Sequence, residues 1–165
     1  MEDINIFDNF FPIGDYNKIL NWCLNASYYY GETDDANLNP TGMTCNIKPS
    51  EDVYAVIINR ISEIFPKLKH SSPYKTSVNC FSPLENPNFH IDSDFYGFTF
   101  LYYIDTLDWN QNDGGETQFL IDGNIYGIIP IKNRLCQFDS RILHRATSFR
   151  NRHRFTVAIK YNLEF

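Results

Sequence analysis

Three residues of this chain have the types and spacing to share one metal ion. His90 and Asp92 stand two positions apart around Ile91, and His144 follows much later. On an extended segment, residues i and i+2 project from the same face, so one imidazole and one carboxylate converge there. A second imidazole delivered by a distant strand completes a facial set of three. Two histidines and one carboxylate with open coordination positions suit a mononuclear non-haem Fe(II). Taken alone, the H-x-D pattern is weak, and a surface histidine beside a turn accounts for His90 equally well.

The neighbourhood adds to it. Tyr103 lies in the run LYYIDTLDW (101–109), followed by the turn Gly114-Gly115-Glu116-Thr117. Ten residues after His144 comes Arg154, in RFTVAIKY (154–161). In order and spacing, H-x-D, LYYIDTLDW, the Gly-Gly-Glu turn, LHRA (143–146) and the late basic residue resemble the Fe(II)/2-oxoglutarate-dependent dioxygenases of the prolyl 4-hydroxylase type. The resemblance spans residues 75–161, about half of the chain.

What the resemblance implies is specific. His90, Asp92 and His144 hold Fe(II). The cosubstrate 2-oxoglutarate takes two open positions and O2 the third, with ascorbate as reductant. Arg154 receives the far carboxylate of 2-oxoglutarate, for which a permanently charged, bidentate guanidinium is suited. Tyr103 directs its hydroxyl at the same carboxylate. A carboxylate at Asp92, where halogenating members carry Ala or Gly, implies hydroxylation or a related oxidation. The other reading of Arg154 is a surface arginine clustered with Arg150 and Arg152. Phe155, Val157 and Ile159 occupy one face of its strand, however, and Arg154, Thr156, Ala158 and Lys160 the other. Arg141, three residues before His144, and Trp109 are candidate substrate contacts. One departure stands out: VNCFSP (78–83) offers Asn79, Cys80 and Phe81 where collagen-type members carry an Arg-Tyr pair.

Two helices precede the strands that must carry these residues. Asp15 is placed to cap a helix with Tyr16, Ile19, Leu20, Cys23 and Leu24 on one face. A second helix starts near Ser50 and buries Val53, Val56, Ile57, Ile61, Ile64 and Phe65 before Pro66 ends it. Residues 31–49 read as a long surface loop or edge segment; with residues 85–97 they are the candidate substrate lid. From residue 75 the period is two, in seven runs separated by turn signals such as Asp122-Gly123-Asn124. Short strands without intervening helices predict an antiparallel sandwich or barrel. The expected architecture is mainly β, a double-stranded β-helix (jelly roll) with two N-terminal buttressing α-helices. Residues 1–165 form one dioxygenase domain, with a helical buttress over 1–70 and a jelly-roll core over 75–161.

Composition narrows the partners. With 14 Lys and Arg against 20 Asp and Glu, the net charge of -6 disfavours gripping a nucleic-acid backbone. No apolar run reaches bilayer length, so no membrane partner is expected. The opening MEDINIFDNF lacks the basic and apolar regions of a signal peptide, and four scattered cysteines form no C-x-x-C pair, which predicts a cytoplasmic protein with reduced thiols. The expected function is C–H hydroxylation, with a prolyl residue in a peptide or protein as substrate. The alternatives are a free amino acid or other small molecule, an idle jelly-roll binding module, or a zinc hydrolase on the same three ligands. Oligomeric state is not legible.

Overall fold

Alternation of side chains along the strands decides the layers, and the chain order decides which strands meet. The structure, a computed structural model, describes residues 4–33 and 39–163. In sequence order these form β1 (Ile4–Phe7), α1 (Ile13–Asn25), β2 (Tyr29–Glu32), β3 (Gly42–Asn46) and α2 (Asp52–Ile64). After a 3-10 turn at Pro66–Leu68 come β4 (Lys75–Phe81), β5 (Gly97–Ile104), β6 (Thr117–Ile121) and β7 (Asn124–Ile128). The chain ends with β8 (Arg134–Asp139), β9 (His144–Ala146) and β10 (Arg154–Asn162). A major sheet has the order β1-β8-β5-β10-β4-β3-β2 and a minor one β7-β6-β9. Each named pairing is antiparallel. This is the mainly β, two-sheet architecture expected, with two helices against one sheet.

The centre of the major sheet is β5 paired with β10, in the register Thr156↔Tyr103, Ala158↔Leu101 and Lys160↔Thr99. Odd residues of β10 (Val157, Ile159, Tyr161) and even residues of β5 (Phe100, Tyr102, Ile104) pack against Tyr16, Ile19, Cys23, Val53, Ile57 and Ile61 of the helices. The opposite face places Leu101, Tyr103 and Ala158 against Phe119, Ile128 and Phe138 between the sheets. Burying each large apolar side chain contributes about 1.5–3 kcal/mol, and a one-residue slip would exchange the faces. The register is therefore strongly specified, and it turns Arg154, Thr156 and Lys160 inward.

All seven alternating runs from residue 75 onward are strands. The differences lie earlier. Helix α1 starts at Ile13 behind Pro12, with Asp15 inside its first turn, because proline suits a helix start. Leu24 is exposed, as is Ile64 at the end of the α2 stripe. The segment 31–49 contributes edge strands: β3 pairs with β4, and β2 with β3; residues 34–38 lie outside the described residues. Three strands thus join the major sheet from the first 70 residues. The Asp122-Gly123 turn has φ of 49° and 76°, the left-handed pair that a two-residue hairpin needs. Among the described residues, all four cysteines are free, and no helix is long and apolar enough to cross a membrane.

Candidate metal centre

His90 and His144 are joined through their backbones. His90 N donates to His144 O at 3.0 Å and His144 N to His90 O at 2.9 Å, an isolated bridge that brings the ring centroids to 4.5 Å. Two residues on, Asp92 N donates to Ser140 O at 2.9 Å and turns its side chain to the same side. Each imidazole is oriented from behind: Nδ1 of His90 meets Asn88 O at 3.1 Å, and Nδ1 of His144 meets Ile142 O at 2.8 Å. A carbonyl accepts only from a protonated nitrogen, so in the neutral ring each Nε2 presents a lone pair. Each Nε2 lies 3.6 Å from one oxygen of Asp92. The three ligand atoms fall within 4.8 Å of one another. Two neutral imidazoles and a carboxylate at that spacing fit one divalent transition-metal ion with open positions.

Asp92 is the electrostatic hub, its side chain 1% exposed. Burial alone would push its carboxyl up. The imidazoles of His90 and His144 beside it, with the Lys160 ammonium, outweigh burial and hold it well below the usual carboxylate range. Thr99 Oγ1 donates to Oδ2 and Lys160 Nζ to Oδ1. Burial pushes His144 the other way, down to about 4, against the pull of Asp92. An unfolded chain protonates this histidine near pH 6.5. The folded state therefore binds fewer protons between 6.5 and 4, and stability is full above that window and lost as pH falls through it. In metal-free protein we expect a loss of about 2–3 kcal/mol from pH 7 to 4.5, read from urea midpoints. Flat midpoints would show that His144 is not held neutral.

Arg154 is buried, 2% exposed, at the inward-facing start of β10. Nε donates to Gly115 O, Nη1 to Thr156 Oγ1 and Nη2 to Thr117 Oγ1, each at 2.8 Å. A guanidinium has five N–H groups, so one on each terminal nitrogen is left to donate. Among the described residues no carboxylate lies within ion-pair distance of Arg154. Desolvation accordingly lowers its pKa, opposed by Tyr103 and Glu116. A buried cation without a counter-ion is costly unless an anion joins it. Arg154 lines the same cavity as His90, Asp92 and His144, with Thr117, Thr156 and Lys160. The neighbouring Arg152 is already taken, by Asp105 at 2.9 Å and Asp113 at 3.0 Å.

Tyr103 is placed one step behind this wall. Its hydroxyl donates to Thr117 Oγ1 at 2.8 Å, and its ring centroid lies 5.6 Å from the Arg154 guanidinium. Thr117 thus accepts from both Tyr103 and Arg154. Gly115, whose carbonyl holds Nε, has φ of 84°, and a Cβ there would lie 2.4 Å from the Phe149 ring. Gly115→Ala is expected to cost about 2 kcal/mol or more, measurable by urea unfolding; an unchanged midpoint would mean the turn relaxes freely.

Two expected substrate contacts lie elsewhere. Arg141 is bound to Asp139 at 2.6 Å and covers the Tyr96 ring, outside the cavity wall. Trp109 donates to Gly114 O at 3.0 Å and latches the glycine turn. Neither lines the cavity. Among the described residues, the polar cavity-lining residues without an assigned role in the sequence are Glu32, Asn79, Thr117, Thr156 and Lys160, and Thr99 supports Asp92. Thr156 and Lys160 carry a signal, their even spacing from Arg154.

No protein-family model matches the chain, and no curated protein sequence does. Solved structures do. A prolyl hydroxylase from Trichoplax adhaerens, in complex with a hypoxia-inducible-factor oxygen-degradation-domain peptide fragment, superposes with a TM-score of 0.80 at 19% identity, covering 97% of this chain and 83% of that one. A Pseudomonas putida prolyl-4-hydroxylase gives a TM-score of 0.79 at 13% identity over 99% and 94% of the two chains. The fold is shared with these prolyl hydroxylases. HygX from Streptomyces hygroscopicus, solved with nickel and 2-oxoglutarate bound, shares it at a TM-score of 0.72 and 9% identity, over 99% of this chain and 84% of that one. At such identities the likeness is one of fold, and the chemistry of the pocket rests on its own residues.

Proposed function

We propose that this chain is an Fe(II)- and 2-oxoglutarate-dependent dioxygenase that hydroxylates a C–H bond of a prolyl residue in a peptide or protein, with residues 1–165 as its catalytic domain. The observation that carries the reading is one cavity lined both by His90, Asp92 and His144 and by Arg154, a buried arginine with no carboxylate within ion-pair distance among the described residues. Nε2 of each histidine and one oxygen of Asp92 hold the iron. Arg154 offers its two remaining N–H groups to the 5-carboxylate of 2-oxoglutarate, and Thr117 and Thr156 fix the plane of the guanidinium. Tyr103 acts through Thr117, keeping that hydroxyl in place as an acceptor for Nη2. Iron held by His90, Asp92 and His144, with 2-oxoglutarate on Arg154, would supply the oxidising chemistry: one atom of O2 would enter the substrate as hydroxyl and the other succinate, with loss of CO2 from the cosubstrate. Phe119 and Phe138 flank His144 and keep water from its ring.

The prolyl substrate is supported by two neighbours that are themselves prolyl hydroxylases, one of them bound to a peptide. Four free cysteines support a reducing, cytoplasmic place of action. Purified protein supplied with Fe(II), ascorbate and air should turn 2-oxoglutarate into succinate, and mass spectrometry of proline-containing peptides should show the gain of one oxygen. Absence of succinate under conditions where the metal and 2-oxoglutarate both bind would leave a binding module instead.

A further inference from the structure

Lys160 is the sixth residue after Arg154 on β10, an even spacing that puts both side chains in the cavity wall. Roughly 20 Å of strand separates their Cα atoms, so the two cations reach the cavity from opposite ends. The Lys160 ammonium donates to Asp92 Oδ1, and Asp92 is its ion-pair partner among the described residues. Its side chain is 14% exposed, shielded but reachable.

Asp92 also has to serve a metal. A divalent ion on His90, Asp92 and His144 shares that carboxylate with Lys160 and sits beside a like charge in a poorly solvated place. A lysine there weakens metal binding unless a further anion takes up its charge. The far carboxylate of 2-oxoglutarate is engaged by Arg154, at the other end of the strand. Resting on the dioxygenase reading, we propose that Lys160 is an anion subsite: it receives a carboxylate of the primary substrate, carried on or next to the residue being oxidised. The substrate class is then a carboxylic acid, such as a C-terminal or free amino acid or a residue beside an acidic side chain. Binding of that carboxylate draws Lys160 off Asp92 and tightens the metal, so substrate and metal binding are coupled, and reciprocally so.

The test measures Mn(II) affinity by electron paramagnetic resonance under argon with saturating 2-oxoglutarate, using propionate and its neutral counterpart propionamide as probes. Lys160→Met should bind Mn(II) about tenfold more tightly than wild type. Propionate should tighten Mn(II) binding to wild type severalfold, and propionamide should not. Lys160→Met should respond to neither probe, while Lys160→Arg, which keeps the charge, should respond to propionate. Affinity for 2-oxoglutarate should be the same in Lys160→Met and wild type. Equal effects of the two probes on wild type, or Mn(II) binding in Lys160→Met no tighter than in wild type, would overturn the subsite. A tenfold loss of 2-oxoglutarate affinity would hand Lys160 to the cosubstrate and overturn it as well. Wild type that binds neither Mn(II) nor 2-oxoglutarate would instead remove the dioxygenase reading beneath it.

Discussion

His144→Ala is expected to lose metal binding by a hundredfold or more and to form no succinate. The set has three protein ligands, and among the described residues the other groups on Asp92, Thr99 and Lys160, are a weak ligand and a cation. Loss of an outer-shell partner alone typically costs roughly 10–100-fold in metal affinity, and loss of a ligand exceeds it. Packing is the competing explanation, because His144 is 4% exposed and its ring lies 4.6 Å from Phe138 and 5.9 Å from Phe119. Truncating a buried ring leaves a cavity worth about 3 kcal/mol or more. His144→Gln fills more of that space and separates the two effects: it should stay folded and still fail to bind Mn(II) tightly. Asp92→Ala is a poorer choice, since it would strand the Lys160 ammonium in a shielded place. Stoichiometric, tight Mn(II) binding by folded His144→Gln would dismantle the proposed centre.

The site was more legible in the sequence than the layers that hold it. His90, Asp92 and His144 could be found because metal ligation restricts residue type, and strand geometry restricts spacing to i and i+2. Arg154 could be assigned to a face because its strand alternates without a break from Phe155 to Ile159. What the sequence hid was non-local. β1 is four residues long with one buried position, too short for a periodic signal, and it exists because β8 pairs with it from Ile4↔Phe138 to Phe7↔Leu135. β2 and β3 are polar edge strands whose pairing depends on β4, and a polar stretch rich in turn formers does not announce that. Arg141, three residues before His144, does not line the cavity, because Asp139 two residues earlier holds its guanidinium at the end of β8. Lys160 was on the right face, and nothing local says that its ammonium meets a carboxylate from before β5.

Arg154→Ala is expected to weaken 2-oxoglutarate binding tenfold to a hundredfold while leaving Mn(II) binding in its absence intact. Hydrogen bonds to charged groups contribute about 1.5–3 kcal/mol, which converts to that range of affinity, and a shielded carboxylate pair lies at its upper end. Stability in the absence of 2-oxoglutarate has two opposing contributions. Removing a buried cation that lacks a counter-ion among the described residues relieves a desolvation cost, whereas Gly115 O, Thr117 and Thr156 each lose a donor. Those contributions offset one another, so the decisive readout is the response to ligand. For wild type, 2-oxoglutarate at 100 times its dissociation constant should stabilise the fold by about 2.7 kcal/mol. At that same concentration Arg154→Ala should show about 1.4 kcal/mol or less, because its dissociation constant has risen at least tenfold. Arg154→Lys should fall between, since an ammonium restores charge without the paired N–H geometry. A wild-type Michaelis constant for 2-oxoglutarate in Arg154→Ala would transfer the carboxylate to another cation. Lys160 is the cavity's other cation, and Lys160→Met would then have to show the loss that Arg154→Ala did not.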